Sequence, residues 1–115
     1  MINTASYGAK VLDRVMPRLG VTAWWDEINT VTLWMSSTED CVLGQLFGRR
    51  GSAWFGFDQV ERFLIKDLHW DFHQRVLPAM RRNGFIEGPW RGCPDYDQLT
   101  RFWVTEIVER REIHA

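Results

Sequence analysis

Cysteine is scarce in this chain. Cys41 and Cys93 are the two in 115 residues, and neither sits in a CxxC pair. Two thiols are too few for a disulfide framework, so a reducing cytoplasm is the expected setting. A run of about 18 apolar residues is also missing, which excludes a membrane-spanning helix. The opening MINTASYGAKVLDRVMPRLG carries charges and a glycine where a signal peptide needs an unbroken apolar stretch, so export by such a signal is not expected. Charge of one sign is lacking as well. Lys+Arg 14 against Asp+Glu 15 leaves a formal net charge of -1. The long-range field that draws a protein to nucleic acid or anionic lipid is therefore absent, and only a local patch could replace it.

What is present is a globular composition, 45% hydrophobic and 25% charged. At this length the chain is expected to form one domain, residues 1–115, with a core that needs neither disulfide nor metal. Seven tryptophans and seven phenylalanines are the compositional oddity, since aromatic rings serve both cores and interfaces.

Hydrophobic periodicity predicts the elements. Ala9, Val11, Leu12, Val15 and Met16 share a helical face within residues 5–16, and Pro17 and Gly20 are expected to stop that helix. Thr22 is positioned to cap a short helix containing Trp24 and Trp25. Val31, Leu33 and Met35 alternate with Thr30, Thr32 and Trp34, the period of a strand with one buried face; GFIE at 84–87 is its only candidate partner. Ser37 and Asp40 resemble a capping box, starting a helix near Thr38 that Gly48 would end in the left-handed conformation. A long stripe of Val60, Leu64, Ile65, Leu68, Phe72, Val76 and Met80 predicts a helix over 58–83 stopped by Asn83-Gly84, with Pro78 kinking or dividing it. A last helix is expected from Pro94 to Arg111, with Tyr96, Leu99, Phe102, Trp103 and Ile107 on one face and stacked Asp97–Arg101 and Glu106–Arg110 pairs. The reading is a mainly α single compact domain of four or five helices, with room for a minor two-stranded β pairing.

Chemistry is less legible. His69 and His73 in HWDFH lie one helical turn apart, as metal ligands do, but the glutamate of HExxH is replaced by Trp70 and both histidines fall in the apolar stripe. Asp67, Cys41, Cys93 and His114 are the available third ligands. No metal or cofactor is expected. Cys41 in TEDCVLGQLFG has the early-helix position that activates a thiol, yet Glu39 and Asp40 beside it oppose ionisation, and a buried helix-face cysteine fits better. Arg49-Arg50, Arg81-Arg82 and Arg110-Arg111 would form a basic patch if they converged. GRRGSAWFG lacks the spacing of a phosphate-binding loop. Trp54 and Phe55 in one glycine-bounded loop and Trp90 in another are the candidate partner-binding residues. Trp24 and Trp25 cannot both face one way on a helix.

The blocks DCVLGQLFG, GAKVLDRVMP, NGF and LTRFWVTEIVERR together resemble a family of small uncharacterised proteins of actinobacteria and actinobacteriophages. Phe102 before Trp103 and Asn83 before the Gly-Phe step depart from that pattern, and residues 52–80 have no counterpart in it. The resemblance implies a phage or actinobacterial cytoplasm and brings no catalytic residues. The expectation is a non-enzymatic, bacteriophage-type accessory protein that binds a host or viral protein, with a homodimer as a further option. A DNA-binding helical regulator acting through the arginine pairs is the alternative, and a metal-dependent enzyme using His69 and His73 the third.

Overall fold

The computed structural model describes residues 2–37, 39–48, 77–87 and 92–115. Four α-helices and one 3-10 turn make up the described regular structure: α1 (Thr4–Arg18), the 3-10 turn (Trp24–Glu27), α2 (Val42–Phe47), α3 (Leu77–Arg82) and α4 (Tyr96–Ile113). The chain is mainly α. Of the long helix anticipated over 58–83, residues 58–76 lie outside the described residues; α3 is its last stretch, with Pro78 in the first described turn.

Helix α1 begins where Asn3 accepts the Ser6 amide on its side-chain oxygen at 3.2 Å, while the Ser6 hydroxyl returns a bond to the Asn3 carbonyl at 2.8 Å. Its buried stripe is Ala5, Gly8, Ala9, Leu12, Val15 and Met16, at helical spacing. The helix does not stop before Pro17 but includes it, ending at Arg18. A proline near the last turn forfeits one ladder bond and leaves the preceding turns intact. The stop comes from Gly20, at φ +86, where the Val21 amide bonds the Met16 carbonyl at 2.9 Å and the Gly20 amide bonds that of Pro17 at 3.1 Å. The same device closes α3. Gly84 stands at φ +71, with the Phe85 amide on the Met80 carbonyl at 3.0 Å and the Gly84 amide on that of Arg81 at 3.2 Å.

Helix α4 starts two residues later than expected. Asp95 is its N-cap, taking the Gln98 amide at 2.9 Å, while the Gln98 side chain takes the Asp95 amide at 3.0 Å. Pro94 precedes this capping box. Leu99, Trp103, Glu106 and Ile107 form the buried face of α4, which packs along α1.

Trp103 is the centre of the core. It is fully buried, donates its indole N–H to the Gly84 carbonyl at 2.7 Å, and lies 5.5 Å from the Phe85 ring and 6.2 Å, edge-on, from Trp24. A Cβ on Gly8 would stand 2.0 Å from the Asn83 carbonyl oxygen and 2.7 Å from the Trp103 ring. The bare backbone at Gly8 is thus what lets α1 meet both α4 and the turn after α3.

Two expectations need correction. No strand occurs among the described residues, and the segment read as alternating is a series of turns. Asn29 takes the Val31 and Thr32 amides on its side-chain oxygen at 2.9 and 3.4 Å, and the Gly84–Phe85 amides on the other side are already committed to ending α3. Leu33 and Met35 are buried as the pattern required, but Val31 is 92% exposed. The second correction concerns TEDCVLGQLFG. Ser37 accepts the Glu39 and Asp40 amides at 3.3 and 3.2 Å and so makes a turn, whereas α2 begins only at Val42 with Cys41 as N-cap. Gly48 closes it in right-handed geometry, at φ -57.

Candidate functional site

Trp54, Phe55 and Trp90, the residues expected to face a partner, lie outside the described residues, as do His69, His73, Asp67, Arg49 and Arg50. The other aromatic pair lies in the 3-10 turn. Trp24 and Trp25 are both buried, at 0% and 8% exposure, because a 3-10 turn directs them to different parts of one core. Trp24 meets Trp103 and donates its indole N–H to Asp13 at 2.9 Å. Trp25 stacks on His114 with ring centres 4.5 Å apart. Neither is left for a partner.

Of the six exposed large apolar side chains among the described residues, two share one loop and the other four lie on α1, on α4 and just ahead of α1. Residues 29–37 carry Val31 and Trp34, the latter 47% exposed. The backbone beneath them is bound on several sides. Gln45 of α2 accepts the Asn29 amide at 2.7 Å and donates to the carbonyls of Asn29 at 3.2 Å and Asp40 at 2.9 Å. The Met35 amide donates to the Thr100 hydroxyl on α4 at 3.0 Å, and the Trp34 amide to the Asp40 carbonyl at 3.3 Å. Leu33 and Met35, buried to 4%, peg the loop into the core. Two apolar tips therefore stand on a backbone already ordered in the free protein, which lowers the entropy cost of docking them. Sequence reasoning missed Trp34 as an exposed aromatic residue. The alternation that buries Leu33 and Met35 was the signal available, since it turns Trp34 outward.

The arginine pair at the end of α4 is structural. Arg110 holds Asp13 through two bonds, Nε to Oδ1 at 3.1 Å and Nη2 to Oδ2 at 2.9 Å, reaches the Glu106 carboxylate at 3.0 Å, and lies 5.6 Å from the Trp24 ring centre. Arg111 donates to the backbone carbonyls of Trp25 and Ile28. Both guanidiniums are thus engaged within the protein, Arg110 with Asp13 of α1 and Arg111 with the carbonyls of Trp25 and Ile28. Burial alone would push the Asp13 carboxyl up; the hydrogen bonds from Arg110 and Trp24 and the charges of Arg110 and His114 overcome it and hold the group below its ordinary 3.8. Asp13, Glu106 and Arg110, with Trp25, Glu109 and His114, line a cavity of about 520 Å³.

Cys41 is 4% exposed, and its sulfur accepts the Gly44 amide at 3.3 Å. Burial pushes the thiol up, the charge of Asp40 adds to that, and the neighbouring amides offset only part of the rise. The buried thiol serves as the cap of α2, and both its burial and Asp40 disfavour the thiolate. Among the described residues no group of three His, Cys, Asp or Glu side chains is arranged to hold a metal ion. No described helix is long and apolar enough to cross a membrane. No family model, curated protein or solved structure matches the chain.

Proposed function

We propose that this chain is a small accessory binding protein that docks onto another protein, a host or viral factor, and that it does so without chemistry of its own. The observation that carries this reading is the ordered 29–37 loop, which presents Val31 and Trp34 to solvent over a backbone bonded to α2 and α4. Tryptophan on a rigid support is the side chain that most often dominates a protein interface. The phage or actinobacterial setting implied by the sequence blocks fits such a role.

The test is site-specific. A photo-crosslinking residue at position 34, introduced in the host cell, is expected to capture a discrete protein adduct. The Val31→Ala/Trp34→Ala double variant, shown to be folded by circular dichroism, is expected to lose the partner co-purified with the native chain. Retention of that partner at native level by the folded double variant rejects this surface.

A further inference from the structure

An open groove of about 490 Å³ lies between the start of α1 and the end of α3. Ile2 and Tyr7, 57% and 51% exposed, supply its apolar surface. Arg81 and Arg82 line its α3 side, with Arg82 fully in solvent contact and Arg81 half-buried. No carboxylate occurs among the described lining residues. Two exposed apolar side chains in one concave wall gain by being covered, and the arginines beside them favour a cover that brings negative charge.

The 29–37 loop has the matching character. Val31 and Trp34 project from it, and the sequence around it, residues 19–48, holds Asp26, Glu27, Glu39 and Asp40 but no lysine, arginine or histidine. All four acidic residues are exposed. The Trp34 amide bonds the Asp40 carbonyl at 3.3 Å, which keeps the Asp40 backbone, and with it Glu39, beside that of the tryptophan. The whole chain is nearly balanced, with Lys+Arg 14 against Asp+Glu 15. Its charge is therefore segregated: acid gathers around the loop, and the remainder of the chain is net positive. An apolar tip among carboxylates and an apolar groove beside arginines agree both in what they bury and in sign. The loop does not reach the groove of its own chain. Leu33 and Met35 peg it into the core, Gln45 and Thr100 bind its backbone, and neither Val31 nor Trp34 lines the groove.

We infer that the groove takes the 29–37 loop of a second copy of this chain, with Trp34 against Ile2 and Tyr7 and the Glu39–Asp40 pair on the side of Arg82. This rests on the reading of the loop as a protein-docking surface and names one occupant of it. Because the two contacting surfaces differ, the contact is heterologous. Each pair leaves one loop and one groove open, so association continues into a ring or an open chain. A contact centred on so few side chains is small, and the association is weak and concentration-dependent.

The test is complementation between two variants of the full chain, followed by sedimentation up to about 1 mM, a concentration that reveals contacts of millimolar affinity. One variant is Val31→Ala/Trp34→Ala, which keeps the groove and loses the loop tip. The other is Tyr7→Ser/Arg82→Glu, which keeps the loop and alters only exposed groove residues. The native chain is expected to form species that grow with concentration and shrink in half-molar salt. Each variant alone is expected to stay monomeric, and an equimolar mixture to give a one-to-one heterodimer that grows no further. A native chain that remains monomeric throughout overturns the inference, as does a mixture without heterodimer. Self-association of the groove variant, which would pair loop with loop, or of the loop variant also overturns it. A monomeric native chain that still holds its host or viral partner through Trp34 rejects this inference alone. A loop variant that keeps that partner yet loses self-association rejects the partner reading alone.

Discussion

At the scale of single residues, Asp13 joins the two ends of the chain. Its carboxylate takes the Trp24 indole and two Arg110 donors, and these bonds hold it below its ordinary value. For a carboxyl depressed by folding, the stabilisation is complete above the unfolded-chain value and is withdrawn as pH falls through that value to the lower folded one. The protein is therefore expected to lose stability as pH drops through and below 3.8, and Asp13→Asn to be less stable near neutrality with a flatter acid limb. Denaturant melts at a series of pH values check both. Trp103→Phe keeps most of the ring but strands the Gly84 carbonyl, and is expected to cost about 1–3 kcal/mol in urea unfolding. The two thiols differ equally plainly. One equivalent of maleimide is expected to label Cys93, and Cys41 to react only once the protein is unfolded, as peptide mapping would show.

At the scale of elements, the helices were legible in the sequence because their apolar spacing and their stops are local properties. Gly20 and Asn83-Gly84 end α1 and α3 where glycine adopts a left-handed conformation, and Asp95-x-x-Gln98 was a readable capping box that a preceding proline obscured. The 29–37 segment misled because alternation reports which side chains turn inward and not what the backbone amides bond. Asn29 and Gln45 take those amides, and a distant glutamine side chain leaves no periodic trace. For the same reason Trp34 emerged as the candidate contact only from the structure, while Arg110-Arg111, which looked like a surface patch, belongs to the core's edge. The contact between α1 and the turn after α3 carries its own prediction. Gly8→Ala puts a methyl 2.0 Å from the Asn83 carbonyl oxygen, where backbone must move. A loss of about 1–3 kcal/mol or more is expected by thermal or chemical denaturation, in contrast to the usual gain from replacing a mid-helix glycine by alanine.

At the scale of the molecule, the core of the described residues is built mainly from α1 with the 3-10 turn and from α4, at opposite ends of the sequence. Helix α1 packs on α4, Asp13 bonds Arg110 across 97 residues, and Arg111 reaches back to Trp25 and Ile28. That pairing sets a schedule for synthesis. The apolar stripe of α1 is made well before α4 and has no α4 to meet until about ninety further residues have been joined. Until then it is a sticky amphipathic segment open to chaperones. Contacts of such sequence separation also slow folding relative to helical proteins with local topology. A nascent chain stalled before Trp103 emerges should be protease-sensitive in α1, and release of the α4 segment should protect α1 in the same step.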